Sequence, residues 1–398
     1  MRRCSRQLVA AVALGVTLSA AALASSTNDR DYQMGDDDAG ASPGGLVGTT
    51  VDSEVPAFGA QQNLEKFSGS PTYVDVGPSG LARPDAGAGE LGIQFDGTSD
   101  YLEGARLGLP STSEASTGWP LSPPGPLDYS GISNRGFQLW VYPTLAGSAE
   151  RQNIVMDTLQ HGVGITMTGN WFMQYANTEI DTGVAVTTNQ WHHIMVVRPF
   201  GPTGSNSGAR MYLDGIAISA ASGGYDGEDN NLLAISSNTG DNINNFPGFS
   251  NFFSGTLDEL EMFVMGTSTD TQFDYGTFNL GEDNDFIAGQ LTGVAGDVNQ
   301  DTVFNQLDKD AFIAGWLSVN LVNGVPAGDL TTIGDGDLNF DGSTDLYDLV
   351  IMQDALAAAG MAAISGDDLT GSVPEPSTLF LVVLGLSGLP FLSRRRRD

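Results

Sequence analysis

The stretch GFQLWVYP, Gly136 to Pro143, puts Phe137, Leu139 and Val141 on one side of an extended chain and Trp140 and Tyr142 on the other, then stops at a proline. A period of two is the signature of a strand with one buried face, and proline cannot continue a sheet ladder. The same pattern recurs on both sides of it. LGIQFDG aligns Leu91, Ile93 and Phe95, WHHIMVVRP runs extended from Trp191, and MYLDGIAIS holds Asp214-Gly215 between two alternating arms, which predicts a type I′ hairpin. Many short strands broken by Gly, Asn and Asp between about residues 61 and 266, with no long helical pattern, predict a β-sandwich.

The chain of 398 residues is 40% hydrophobic, enough for a folded core and more than one domain. Its net charge of -32 excludes nucleic acid, whose phosphates require Lys and Arg, and suits calcium and an extracellular setting. The single cysteine, Cys4, precedes the first apolar run, so stability must come from packing and metal rather than disulfides.

Both ends carry processing signals. Residues 1–24 combine Arg2, Arg3 and Arg6 with an apolar run and a small-residue end at Ala24, which predicts a secretory signal cleaved near Ser25. Residues 25–60 are acidic and Gly-rich and read as a flexible leader. At the other end, Pro374-Glu375-Pro376 precedes an apolar run from Thr378 to Leu392 and the arginines Arg394 to Arg397. At ~1.5 Å per residue that run spans about 22 Å, short of the ~30 Å hydrocarbon core, which predicts a transient membrane contact held by the cytoplasmic arginines.

Two further runs, DVNQDTVFNQLD (Asp297 to Asp308) and DLNFDGSTDLYD (Asp337 to Asp348), carry oxygens at loop positions 1, 3, 5, 9 and 12, the spacing that wraps a calcium ion. The expected ligands are Asp297, Asn299, Asp301, the Val303 carbonyl, Asn305 and Asp308 in the first loop. In the second they are Asp337, Asn339, Asp341, the Ser343 carbonyl, Asp345 and Asp348. Position 6 needs a left-handed residue; the second loop has Gly342 there and the first has the β-branched Thr302, so the second site is expected to bind more tightly. KDAFIAGWL and YDLVIMQDALAAAG supply a helical pattern after each loop, and DNDFIAG (Asp283 to Gly289) suggests another short helix in the connector 267–292. The module spans 293–362, followed by a polar linker, 363–372, and the tail, 373–398.

Three resemblances follow from these motifs. The ordered set FDGTSDYLE, FQLWVYP, WHHIMVVR, ARMYLDGIAIS and FSGTLDELEMF resembles the laminin-G-like jelly roll of the concanavalin A-like lectin/glucanase superfamily over 61–266, with a Ser/Pro/Gly-rich insertion near Leu109 to Asn134. The paired loops, each closing in Asp and followed by one helix, resemble a dockerin type I module. The resemblance implies calcium-dependent docking of a cohesin-like protein through loop positions 10 and 11, here Gln306, Leu307, Leu346 and Tyr347 rather than the Ser-Thr pair of cellulosomal modules. The tail is similar to a PEP-CTERM sorting signal, which implies cutting by an exosortase-type enzyme near Pro374 to Pro376. The expected fold class is thus mainly β, a concanavalin A-like jelly-roll sandwich followed by a small helical dockerin-like module with two EF-hand-like loops.

No catalytic residue is expected. Glycosidases of this superfamily alternate three acidic residues on one strand, whereas LDELEMF offers Glu259 and Glu261 with Leu257 in the third place. Strand parity places both glutamates outward and Asp258 with the core residues Leu260, Met262 and Val264. His192 and His193 are adjacent on a strand and cannot chelate one ion. The reading is an exported surface or matrix protein binding glycan, exopolysaccharide or protein; the alternatives are a carbohydrate-active enzyme with a degenerate motif and a purely structural matrix component.

Overall fold

The computed structural model describes residues 26–36, 38–51, 63–104, 135–157, 161–175, 178–198, 208–222, 233–237, 250–265 and 285–370. The cleavage position Ala24, the long insertion, the Pro374-Glu375-Pro376 motif and the apolar tail lie outside them.

Two sheets face each other. The first contains, in spatial order, β14 (Ile216–Ala221), β13 (Ala209–Leu213), β12 (His192–Arg198), β7 (Arg135–Pro143), β16 (Ser254–Met265), β5 (Leu91–Asp96) and β4 (Thr72–Asp75). The second runs β11 (Thr178–Ala185), β10 (Asn170–Tyr175), β9 (His161–Ile165), β8 (Gln152–Asp157), β15 (Leu233–Ile235), β6 (Tyr101–Gly104), β3 (Leu64–Ser68) and β2 (Thr50–Val51). Between them Phe137, Leu139 and Val141 meet Ile93, Phe95, Trp171 and Met173 in one core, so the alternation in the quoted stretch marks a real burial face. Asp214 and Gly215 join β13 to β14 with φ of 51° and 80°, the two left-handed residues a type I′ turn needs.

Two boundaries differ from the sequence reading. The leader 25–60 is partly sandwich: β1 (Ser26–Tyr32) pairs antiparallel with β16, and Tyr32, Met34, Val47 and Val51 belong to the core. STNDRDY has no apolar alternation because it joins the ladder through its backbone, extending the side of β16 that β5 occupies at the other end. The stretch 363–372 is not a free linker, since Ile364 and Leu369 pack with Val298, Phe312, Met352 and Leu356 in the core of the C-terminal module. The short helix expected in the connector is present as α1 (Asp285–Gln290), and it packs on the sandwich as well as on the module.

Strand β16 also departs from simple parity. Its pairing with β7 slips between Asp258 and Glu261, and Glu259 sits at φ 48°. This β-bulge lets both Leu257 and Leu260 reach the core and turns Asp258 to the outer side, opposite Trp140, rather than inward as parity predicted.

The module has two helices after the two loops, α2 (Gln306–Gly315) and α3 (Leu346–Ala358), and a short α4 (Gly366–Thr370). It is seated on the outer face of the first sheet. Met195, Val197, Tyr212 and Ala217 of the sandwich share an apolar cluster with Ile287 of α1 and Ala327, Ile333 and Phe340 of the module. Polar contacts flank it: Arg210 Nε donates to the Pro326 carbonyl at 2.8 Å, and Asp329 Oδ2 accepts from the Ala217 amide at 3.1 Å.

Candidate functional site

Both acidic loops fold by the same set of bonds, offset by forty residues. Asp297 Oδ2 accepts from the Thr302 amide at 2.8 Å and the Thr292 hydroxyl at 2.8 Å; Asp337 Oδ2 accepts from the Gly342 amide at 3.0 Å and the Thr332 hydroxyl at 2.8 Å. Asn299 Oδ1 and Asn339 Oδ1 each accept from the position-5 amide at 3.0 Å. The closing aspartates Asp308 and Asp348 cap the helices, each accepting from the N-cap amide of Asn305 (2.7 Å) or Asp345 (2.8 Å). Asp297, Asp308, Asp337 and Asp348 are buried, so positions 1 and 12 line the inside of each loop as a cation cage requires.

The loops differ at position 6. Gly342 sits at φ 91° and Thr302 at φ 72°, so the threonine adopts the left-handed conformation that disfavours it. The second loop is also electrostatically crowded. Burial, with repulsion from Asp348 and Asp341, pushes the Asp337 carboxyl up to about 7, and burial pushes Asp348 up to about 6. Hard oxygen donors on alternate residues and crowded buried carboxylates fit a hard divalent cation. In neither loop do three carboxylates converge within 4.8 Å of one another; among the described residues that holds for Asp36, Glu90 and Glu259. Of the residues expected to meet a partner, Leu307, Leu346 and Tyr347 are 60%, 68% and 65% exposed at the starts of α2 and α3.

Sequence reasoning missed a cleft of about 300 Å³ where the outer face of the first sheet meets α1. Its aromatic wall is Trp140, His193 and Phe286: the Phe286 ring stacks on His193 at 4.2 Å and 13°, and meets Trp140 edge-on at 5.3 Å. Its polar wall holds Arg83, Gln138, Glu259 and Glu261, with Asp31 and Asp85 at the rim. Arg83 pairs with Glu90 at 2.7 Å, buried Asp258 at 2.7 Å and Glu259 at 3.3 Å. Burial pushes Glu259 up to about 7 against the pull of Arg83, with Asp31, Asp36 and Glu90 adding repulsion. His193 is driven down to about 3 by burial and is neutral; its Nε2 lies 3.1 Å from Gln138 Oε1, and Gln138 Nε2 donates to Glu261. His192 is on the other face, 2.8 Å from Asp214 and edge-on to the core Trp171, so the two histidines diverge as strand geometry requires. The outward parity of Trp140 and Glu261 was the sequence signal for this cleft; the arrival of Phe286 and Arg83 from distant segments was not readable.

Residues 126–265 match the concanavalin A-like lectin/glucanases superfamily, in its Laminin_G_3 form, and residues 372–397 match the PEP-CTERM protein-sorting motif. The chain therefore carries a lectin/glucanase-like sandwich and is an exported protein processed at its C-terminus. Among the described residues no helix is long and apolar enough to cross a membrane, and the tail run expected to contact one lies outside them. No curated protein matches the chain. Among solved structures it is similar to domain 4 of AbnA, a GH43 extracellular arabinanase from Geobacillus stearothermophilus in complex with arabinotriose, at 15% identity, covering 61% of this chain and 95% of that one with a TM-score of 0.32. It is also similar to Trypanosoma rangeli sialidase at 10% identity, covering 59% of this chain and 30% of that one with a TM-score of 0.35. A SAP-like pentraxin from Limulus polyphemus follows at 15% identity, covering 33% and 64% with a TM-score of 0.25.

Proposed function

We propose that this is a non-enzymatic binding protein of the cell surface or extracellular matrix, holding glycan or protein through its sandwich and calcium through its two loops. The observation that carries the reading is the engagement of the glutamates on β16. Glu259 is tied to Arg83 and Glu261 to Gln138, whereas hydrolysis needs one carboxylate poised as acid and a second as base or nucleophile. Each loop offers a set of aspartate, asparagine and carbonyl oxygens suited to calcium, which would neutralise charge and stabilise the folded module. The exposed pair of helix starts, Gln306-Leu307 and Leu346-Tyr347, suits a cohesin-like partner whose docking depends on that calcium. The apolar tail and its arginines would hold the chain at the membrane until the exosortase-type cut, leaving it on the surface or in exopolysaccharide.

A glycan array probed with the processed chain, in calcium and in EGTA, tests the binding reading; silence on every glycan would leave only a structural matrix role. One observation favours an enzyme: Glu259 is held near 7 beside Glu261 in a cleft, the environment of a general acid. Reducing sugar released from a polysaccharide by the native chain and lost in Glu259→Gln would replace binding with hydrolysis.

A further inference from the structure

The cleft beside β16 is built from two parts of the chain that the sequence assigns to different domains. Sandwich strands supply Trp140, His193 and the β16 glutamates, while Phe286 comes from α1. Phe286 is in turn held by the module. Leu330 and Phe286 converge on the same point of the hairpin, since a side-chain carbon added to Gly215 would lie 2.4 Å from Leu330 Cδ1 and 3.6 Å from Phe286. Leu330 also donates its amide to the Gly215 carbonyl at 3.2 Å.

From Leu330 the contacts lead directly to the second loop. The amide of its neighbour Asp329 donates to the Thr332 hydroxyl at 3.0 Å, and that hydroxyl donates to Asp337 Oδ2 at 2.8 Å. Phe340, inside the loop, enters the apolar cluster shared with Met195, Val197 and Tyr212. The chain at Ala327-Gly328 lies over the loop so closely that a carbon added at Gly328 would sit 2.4 Å from Asp337 Oδ2. Its other side is fixed to the sandwich through Arg210 and the Pro326 carbonyl. The first loop makes no comparable approach among the described residues: its Val298 and Phe304 face the module's own core.

We propose that this cleft is a composite binding site for a sugar without acidic groups, and that calcium in the second loop assembles it by fixing Phe286 against His193. The proposal rests on the glycan- and calcium-binding reading above. Phe286 and Trp140 supply an apolar wall for the C–H face of a ring, while Glu259 and Glu261 offer acceptors for hydroxyls. Asp31, Asp85 and Glu261, with Glu259 beside them, line the cleft against one guanidinium already shared with Glu90, Asp258 and Glu259. An acidic sugar would be repelled there and a neutral or amine-bearing one would not.

The test is titration calorimetry of the processed chain with tetramers of glucose, glucosamine and glucuronic acid, in saturating calcium and in EGTA. A glucose or glucosamine tetramer should bind in calcium, and EGTA should weaken it about tenfold, within the usual range of site-to-site coupling. Phe286→Ala and Asp341→Ala should each reproduce that loss in calcium, whereas Asp301→Ala in the first loop should cost several-fold less. Circular dichroism of each variant distinguishes a loosened cleft from an unfolded sandwich; should Phe286→Ala unfold, Phe286→Leu carries the test. Binding indifferent to EGTA and to Phe286 would overturn the composite site while leaving glycan binding intact. Preference for the glucuronic acid tetramer would overturn the ligand class. Failure of every tetramer and every arrayed glycan would remove both readings.

Discussion

Exchanging position 6 between the loops isolates one of the features that separate them. Thr302 occupies φ 72°, and a left-handed conformation costs an L-residue roughly 1–2 kcal/mol. Thr302→Gly removes that strain but adds about 0.5–1 kcal/mol of backbone entropy lost on ordering the loop. The net gain is about 0.5–1 kcal/mol, or roughly two- to fivefold tighter calcium binding at the first loop. Gly342→Thr is not the mirror image. At φ 91° the new side chain has the same strain, and its first carbon would lie 2.3 Å from the Ala327 amide nitrogen and 2.9 Å from its Cα. Both are backbone atoms that cannot rotate away, so the second loop should lose at least about tenfold in affinity, the effect of ~1.4 kcal/mol. Titration calorimetry of the two variants against the native chain reads both numbers. Weaker binding by Thr302→Gly, or native affinity in Gly342→Thr, would refute position 6 as a source of the expected inequality.

Three further outcomes are expected. Burial pushes Asp258 well above the usual carboxylate range even against the pull of Arg83, so Arg83→Met should cost about 1–3 kcal/mol in chemical denaturation, the loss of a buried hydrogen-bonding partner; a cost of about 3–5 kcal/mol would mean that the carboxyl is charged in the native protein. Glu259 moves from an ordinary 4.5 up to about 7 on folding, so the folded chain holds more protons across that window and loses stability as pH rises through it. Glu259→Gln should flatten that slope, and an unchanged midpoint-versus-pH curve would contradict the shift. Ending the chain at Met361 exposes the pocket left by Ile364 and Leu369 and should cost roughly 3–6 kcal/mol of module stability; native unfolding of that fragment would restore the linker reading of 363–372.

What the sequence disclosed and what it hid divide along a physical line. The sandwich strands were legible because one face is buried and the alternation of Phe137, Leu139 and Val141 reports it directly. Helices α2 and α3 were legible because their apolar positions repeat at helical spacing after a capping Asp. Strand β1 was not, because STNDRDY pairs with β16 through its backbone and has a single apolar residue, Tyr32, at its end, so no alternation announces it. The bulge at Glu259 was hidden for a related reason: one extra residue reverses parity beyond it, and nothing in LDELEMF marks where. The cleft depends on Arg83 and Phe286, which lie far from β16 in the chain, so no local pattern could have assembled it.

The scarcity of cations shapes how distant segments are tied together. With 16 Lys and Arg against 48 Asp and Glu, a basic side chain buried in this protein is worth more as an internal tie than as a solvated charge. Arg83 ties Asp258 and Glu259 on β16 to Glu90, and Arg210 ties β13 to the module at Pro326. Lys309 of α2 donates to the carbonyls of Ala362 and Ala363 at 3.2 Å, fixing the segment that leads into α4. All three join segments distant in sequence, the role disulfides play in other exported proteins and which a chain whose only cysteine is Cys4 cannot use. Asp337, Asp341 and Asp348 in the second loop have no such counter-ion within the loop itself. Burial acts on all three; the Asn339 side chain and the Ser343 amide favour the Asp341 carboxylate, and a weaker favourable field comes from Arg210 across the interface. A divalent cation there would complete the scheme, supplying positive charge beside Arg210 at the seam between module and sandwich.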